Sequence, residues 1–166
     1  MPVSESIHPG LHRMRGLETL AYASVLATYV LILVGGYVSA SGSGLACRDW
    51  PTCNGQIVPA LTGAVLVEYT HRLLALLVSI LVTTAWLVVS FRYRRERNIF
   101  VLSTASLVLL FGQVLLGMIT VRTELNALVT AAHLGLATGV FALVLVNALL
   151  VRRRSQEFIQ QLLLTA

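Results

Sequence analysis

Four apolar stretches decide what this chain can fold into. They cover residues 17–40, 60–91, 99–121 and 127–151, each more than twenty residues long. At about 1.5 Å of rise per helical residue, each is long enough for a hydrocarbon core of roughly 30 Å. Backbone amides find no partners in lipid, so such stretches cross it as helices that satisfy their own hydrogen bonds. The composition agrees: of 166 residues, 57% are hydrophobic and only 11% charged. That balance excludes a soluble globular domain. The expectation is an all-α integral membrane protein, a four-transmembrane-helix bundle built from two helical hairpins.

The basic residues orient the bundle. There is no lysine, so the net charge of +5 is carried by arginines, and they cluster. Arg92, Arg94, Arg95 and Arg97 form one group, and Arg152, Arg153 and Arg154 another. Clusters beside apolar spans report membrane topology rather than nucleic-acid binding. The positive-inside rule puts both termini and the 92–97 turn in the cytoplasm and the 41–59 loop outside. Residues 1–16 read as a short cytoplasmic leader and 152–166 as a cytoplasmic tail. His8 and His12 belong to a solvated leader rather than a metal site, and no cleavable signal peptide is expected. Localisation follows as a multi-pass cell-membrane protein.

The 41–59 loop, SGSGLACRDWPTCNGQIVP, is rich in Gly, Pro, Asn and Asp and holds both cysteines, Cys47 and Cys53. In an exported loop a disulfide persists. The spacing is not Cys-x-x-Cys, so a structural brace and a redox role both stand, with the brace favoured.

Within the second span lies Glu68-Tyr69-Thr70-His71-Arg72. Ionisable groups at membrane depth cost about 3 kcal/mol or more near the bilayer centre and mark function by default. Glu68 and His71 stand at i and i+3, and Glu68 and Arg72 at i and i+4, the spacing of an intrahelical ion pair. His133 lies early in the fourth span, at a depth similar to His71 in the second. Two neutral imidazoles facing each other across a bundle suit the axial positions of a haem iron. Ala131, Ala132, Gly135, Ala137 and Gly139 leave room for a macrocycle, or simply let helices pack closely. Arg72 is placed to pair with a haem propionate or with Glu68. Glu68 is placed as an acid/base or charge-stabilising group. Gln113 reads as a hydrogen bond to a haem substituent or to a neighbouring helix. Di-iron and zinc sites need more carboxylates or ligands than the spans supply. A weak repeat sets Gly36-Tyr37-Val38 against Gly117-Met118-Ile119 and His71 against His133, with the cysteine loop as an insertion.

The runs GGYVSASGSGLACRDWPTC, EYTHRLLALL and LLGMITVRTELNALVTAAHLGLAT, spread over about residues 30–140, resemble haem A synthase. Full-length members have eight spans in two four-helix halves, and this chain is similar to one half. The resemblance implies oxidation of the C8 methyl of haem o to the formyl group of haem a, for terminal oxidase assembly. It implies His71 and His133 as axial iron ligands, Glu68 as catalytic carboxylate and Cys47–Cys53 as the outer-loop pair. Haem b, substrate haem o or both are the implied iron porphyrins. A homo-oligomer, most simply a dimer, is expected to supply a second haem site. Haem O synthase and a membrane electron acceptor are the implied protein partners. The alternative functions are a haem b electron-transfer anchor and a quinone-linked thiol oxidoreductase.

Overall fold

Residues 9–165 are described by a computed structural model, without the side chains of residues 9–13, 162 and 165. His8 and the side chain of His12 lie outside the described residues. Four long helices are present among them: α1 (Pro9–Ala40), α2 (Gly63–Arg92), α3 (Arg97–Arg122) and α4 (Ala127–Thr165). All four are long and apolar enough to cross a membrane. The chain is a multi-pass membrane protein.

Helix ends differ from hydropathy boundaries for local reasons. Pro9 opens α1, where its fixed φ and missing N–H cost nothing. α1 therefore begins within the polar leader. At the other end, α4 runs through Arg152–Arg154 because arginine is a good helix former and no Gly or Pro interrupts it. Glu157 pairs with Arg153 at 3.2 Å and with Arg154 at 3.3 Å, one turn away on the same helix. Arg154 also reaches Glu96 in the α2–α3 turn at 2.7 Å and ties that turn to α4. Asn126 caps α4: its Oδ1 accepts the N–H of Leu128 at 3.1 Å and of Val129 at 3.4 Å.

α1 packs on α2 and α4, and α3 packs on α4 and α2. The helices thus form a square in which α2 and α4 stand on a diagonal. The centre is a layer of Val78, Val82, Leu110, Val140 and Val144, flanked by Val25 and Leu31. A second layer, Leu17, Val89, Ile99 and Val151, lies toward the arginine-rich end. Lipid is as apolar as these side chains, so close packing and polar contacts hold the helices together rather than the hydrophobic effect. Asn147 on α4 donates to the Ser103 hydroxyl on α3 at 2.7 Å. Gly139 lies close to Leu109 across the same pair. Leu26, Leu33, Leu76, Ile80, Val108 and Phe111 face outward. In water that surface would aggregate, and in a bilayer it is the lipid face.

Candidate functional site

The loop end of the bundle carries the unusual chemistry. Cys47 and Cys53 are joined in a disulfide, with Cα atoms 4.5 Å apart. Their residues are 0% and 1% exposed. Cys53 and Gln56 pair through both backbone hydrogen bonds, at 2.9 and 3.1 Å. Between them Asn54 and Gly55 take φ of 54° and 77°. This is the Asn-Gly hairpin turn, legible as a dipeptide but not singled out from the sequence. Asp49 ties off the same turn. Its carboxylate accepts from the Thr52 hydroxyl, from the Asn54 N–H and from the Gly55 N–H at 2.8 Å. These bonds, that of Thr52 foremost, hold the Asp49 carboxyl down at about 2.

Glu68 and Arg72 dock this loop onto α2. Glu68 is 3% exposed. Its Oε2 accepts the Cys47 N–H at 2.8 Å, and its Oε1 meets Arg72 Nη2 at 2.5 Å. Arg72 Nη2 also donates to the Cys47 carbonyl at 2.7 Å. Arg72 Nη1 donates to the Asp49 carbonyl at 2.7 Å and the Thr52 carbonyl at 2.8 Å. The four Nη hydrogens are therefore committed to Glu68 and the loop backbone. Tyr69 adds a bond from its hydroxyl to the Ile57 carbonyl at 2.8 Å. Of the two expected uses of Arg72, the ion pair with Glu68 is the one formed.

His71 and His133 sit in matching niches. A methyl group placed on Gly35 of α1 would lie 2.9 Å from His71 Cε1. One on Gly117 of α3 would lie 3.0 Å from His133 Cε1. Each imidazole therefore rests against the bare backbone of the preceding helix in its own hairpin. The repeat anticipated from sequence set Gly36 against Gly117, but the partner is Gly35. A methyl group on Gly36 would meet nothing within 4 Å. One residue turns a helix by about 100°, enough to move a glycine off the contact face. Gly35 and Gly117 each stand five residues before the end of their helix. His71 follows Gly35 by 36 residues and His133 follows Gly117 by 16; the 20 extra residues are the cysteine loop. Gly63 and Leu125, each eight residues before its histidine, share left-handed φ values of 52° and 60°. The two hairpins thus repeat in backbone as well as in sequence. Glu68 has Thr130 as its counterpart, so the acid–base pair and the loop occur together in one hairpin.

The Nδ1 atoms of both histidines are buried and have no hydrogen-bond partner. Nε2 of His133 lies 3.3 Å from the Gln113 amide nitrogen. Of the two readings of Gln113, the structure supplies a contact to the neighbouring helix, and its target is the histidine itself. Among the described residues, no three His, Cys, Asp or Glu side chains converge as a metal site. Of the small residues around His133, Gly135 faces open space, whereas Gly139 serves helix packing.

Comparison with known proteins follows this pattern. The sequence model of the COX15-CtaA family, described as cytochrome oxidase assembly protein, matches residues 18–66 and 60–164. The chain is similar to Heme A synthase of Bacillus pumilus, 37% identical over 140 residues, covering 80% of this chain and 45% of the relative. It is similar to Heme A synthase of Symbiobacterium thermophilum, 36% identical over 125 residues, covering 75% and 40%. A third, Heme A synthase of Bacillus licheniformis, is 34% identical over 152 residues, covering 87% and 50%. The chain spans about half the length of the curated relatives it matches. With the family model matching most of its length, the chain belongs to the COX15-CtaA family of cytochrome oxidase assembly proteins.

Proposed function

We propose that this chain is a haem A synthase-type membrane oxidoreductase, converting the C8 methyl of haem o to the formyl group of haem a for terminal oxidase assembly. The observation that carries this reading is the pair of histidines on diagonal helices, each seated on a glycine and each with a buried, unpartnered nitrogen. A haem iron already has four porphyrin nitrogens and asks the protein for two more ligands. Two imidazoles, with no trio of His, Cys, Asp or Glu converging among the described residues, fit that demand and fit zinc poorly.

His71 and His133 are the residues that would hold the iron, whether of substrate haem o or of haem b. When bound, the porphyrin would supply the redox chemistry, with water giving the formyl oxygen and a membrane acceptor taking the electrons as protons leave the substrate carbon. The chain's own residues orient, shield and move protons. The valine layer below the histidines closes the bundle toward the arginine-rich end. Glu68 lies one helical turn before His71 and receives the proton released from the substrate. Arg72 holds Glu68 and the loop in register. By the positive-inside count, the loop end faces outward and the arginine-rich end the cytoplasm. A second copy of this chain supplies a second four-helix unit in a symmetric dimer. Haem O synthase is the natural donor of the substrate.

Expression with a haem o source, followed by haem extraction and mass analysis, tests the activity. Wild type is expected to yield haem o and haem a, and His71→Ala neither. Wild-type protein yielding only haem b would make the chain an electron-transfer anchor instead. For the oligomer, the particle mass in nanodiscs is the measurement, and an active monomer refutes the second copy.

A further inference from the structure

The arginine-rich end of the bundle carries charge that the fold leaves unmatched. Glu96 is the acid of the α2–α3 turn, and Arg154 of α4 claims it through Nε at 2.9 Å and Nη2 at 2.7 Å. Among the described residues, Arg92, Arg95 and Arg97 then have no acid within salt-bridge distance. Arg94 lies over the Phe100 ring, 5.7 Å from its centroid. Arg97 stands at the mouth of a groove whose other walls are Asn98, Val101 and Leu102 of α3 and Leu150 of α4. Val101, one turn below Arg97, is 54% exposed. Leu150 stands one turn before Arg154 on α4, so the Glu96–Arg154 bridge fixes how far apart the two walls stand. The groove is cationic at the end of the bundle and apolar where it runs into the span.

We propose that this groove binds an anionic diacyl phospholipid, its phosphate on Arg97 and Asn98 and one acyl chain along Val101, Leu102 and Leu150. A guanidinium offers two parallel donors to a phosphate, and the Asn98 amide adds an uncharged one. Basic pockets between transmembrane helices are where such headgroups bind. A free phosphate would leave the apolar walls uncovered, and a zwitterionic lipid brings a cation of its own toward Arg97. A second groove, on α1, shows the contrast. It holds Arg15, but also Glu18 and Tyr22, whose hydroxyl meets Arg152 at 3.5 Å. An acid already stands beside its cation, so it gives an anionic lipid no advantage. Lipid in the first groove touches α3 and α4 together and adds to the Glu96–Arg154 bridge in holding the α2–α3 turn against α4.

Native mass spectrometry of the purified full chain tests the site, with dioleoylphosphatidylglycerol and dioleoylphosphatidylcholine as probes. Wild type is expected to retain the anionic lipid more tightly. Arg97→Gln is expected to weaken that lipid by ~5-fold, the usual contribution of one arginine at a charged membrane surface, and to leave the neutral lipid unchanged. Arg97→Lys keeps the charge and is expected to keep most of the binding. Val101→Trp fills the apolar part of the groove and is expected to weaken both lipids. Arg15→Gln, in the second groove, is expected to change neither. Arg97 and Val101 are exposed, so none of these variants disturbs the core. Equal retention of the two lipids by wild type overturns the proposal, and so does an Arg97→Gln variant that keeps the anionic lipid. Loss of a dimer in Val101→Trp with lipid binding intact gives the groove to a second copy of the chain, and overturns it as well.

Discussion

The imidazole of His71 lies directly against Gly35, so that a single methyl group added there would stand 2.9 Å from its Cε1. The contact decides how far the histidine can reach into the bundle. Gly35→Ala pushes the ring tip away but leaves the backbone alone. Alanine also suits a helix better than glycine by about 1 kcal/mol. Fold stability is therefore expected to hold or rise slightly, while haem affinity falls by ~10-fold or more as ligand geometry is lost. Gly36→Ala, with open space around it, is the control and retains haem. Haem titration beside thermal melts in detergent checks both, and equal affinities in the two variants would sink the niche.

Arg72, half-buried, and Glu68, buried, form a pair that also holds three loop carbonyls and one loop N–H. Arg72→Met leaves the Glu68 charge buried without its partner and strands the carbonyls of Cys47, Asp49 and Thr52. Breaking a buried pair from one side costs about 3–5 kcal/mol. Glu68→Gln should cost less, because an amide still accepts the Cys47 N–H. The double variant is expected to be more stable than the sum of the singles predicts, since a neutral amide at position 68 no longer needs a counter-ion. Denaturant unfolding with limited proteolysis of the loop measures the coupling. Strict additivity would show that the two side chains act independently.

Glu68→Gln also separates docking from chemistry. Haem binding is expected to persist, because His71 and His133 are untouched. Oxidation of haem o is expected to stall for lack of a proton acceptor. Haem extraction from the variant reads both at once, and normal haem a formation would remove Glu68 from the reaction.

Asp49 gives the loop a pH dependence with a defined sign. Its folded value sits at about 2, below the ordinary 3.8. A depressed carboxyl stabilises the fold when ionised, fully above its unfolded value. That contribution disappears as the pH falls from about 4 towards 2, when protonation removes the acceptor for Thr52, Asn54 and Gly55. Trp50 fluorescence or protease access should therefore stay flat from neutral pH to about 4 and change below it. In Asp49→Asn the acid transition should vanish; its persistence would assign it to another group.

The disulfide closes a short loop, with six positions separating Cys47 from Cys53. Chain-entropy bookkeeping for so short a closure gives about 2 kcal/mol. Cys47→Ser with Cys53→Ser is expected to lose roughly that amount while the Glu68 and Arg72 contacts keep the loop docked. Chemical denaturation of reduced and oxidised protein measures it. Complete loop undocking on reduction would make the disulfide, and not the Glu68–Arg72 pair, the anchor.

What the sequence determined by itself rests on local physics. Hydropathy and length specified four spans, because a segment answers to lipid one residue at a time. The cost of ionisable groups in a membrane singled out Glu68, His71, Arg72 and His133 for the same reason. Two cysteines six positions apart in one short loop pointed to the disulfide that the structure holds. The tertiary structure decided what those groups touch. A shift of one residue rotates a helix by about 100°, so hydropathy did not distinguish Gly35 from Gly36 as the seat of His71. Glu68 shares a helix face with His71 by spacing, yet its carboxylate is claimed by Cys47, 21 positions away in the chain, and by Arg72. Gln113 meets His133 only because two antiparallel helices bring residues 20 apart to one level. Those contacts depend on helix rotation and loop docking, which sum many weak interactions along the whole bundle and leave no mark on any single stretch of sequence.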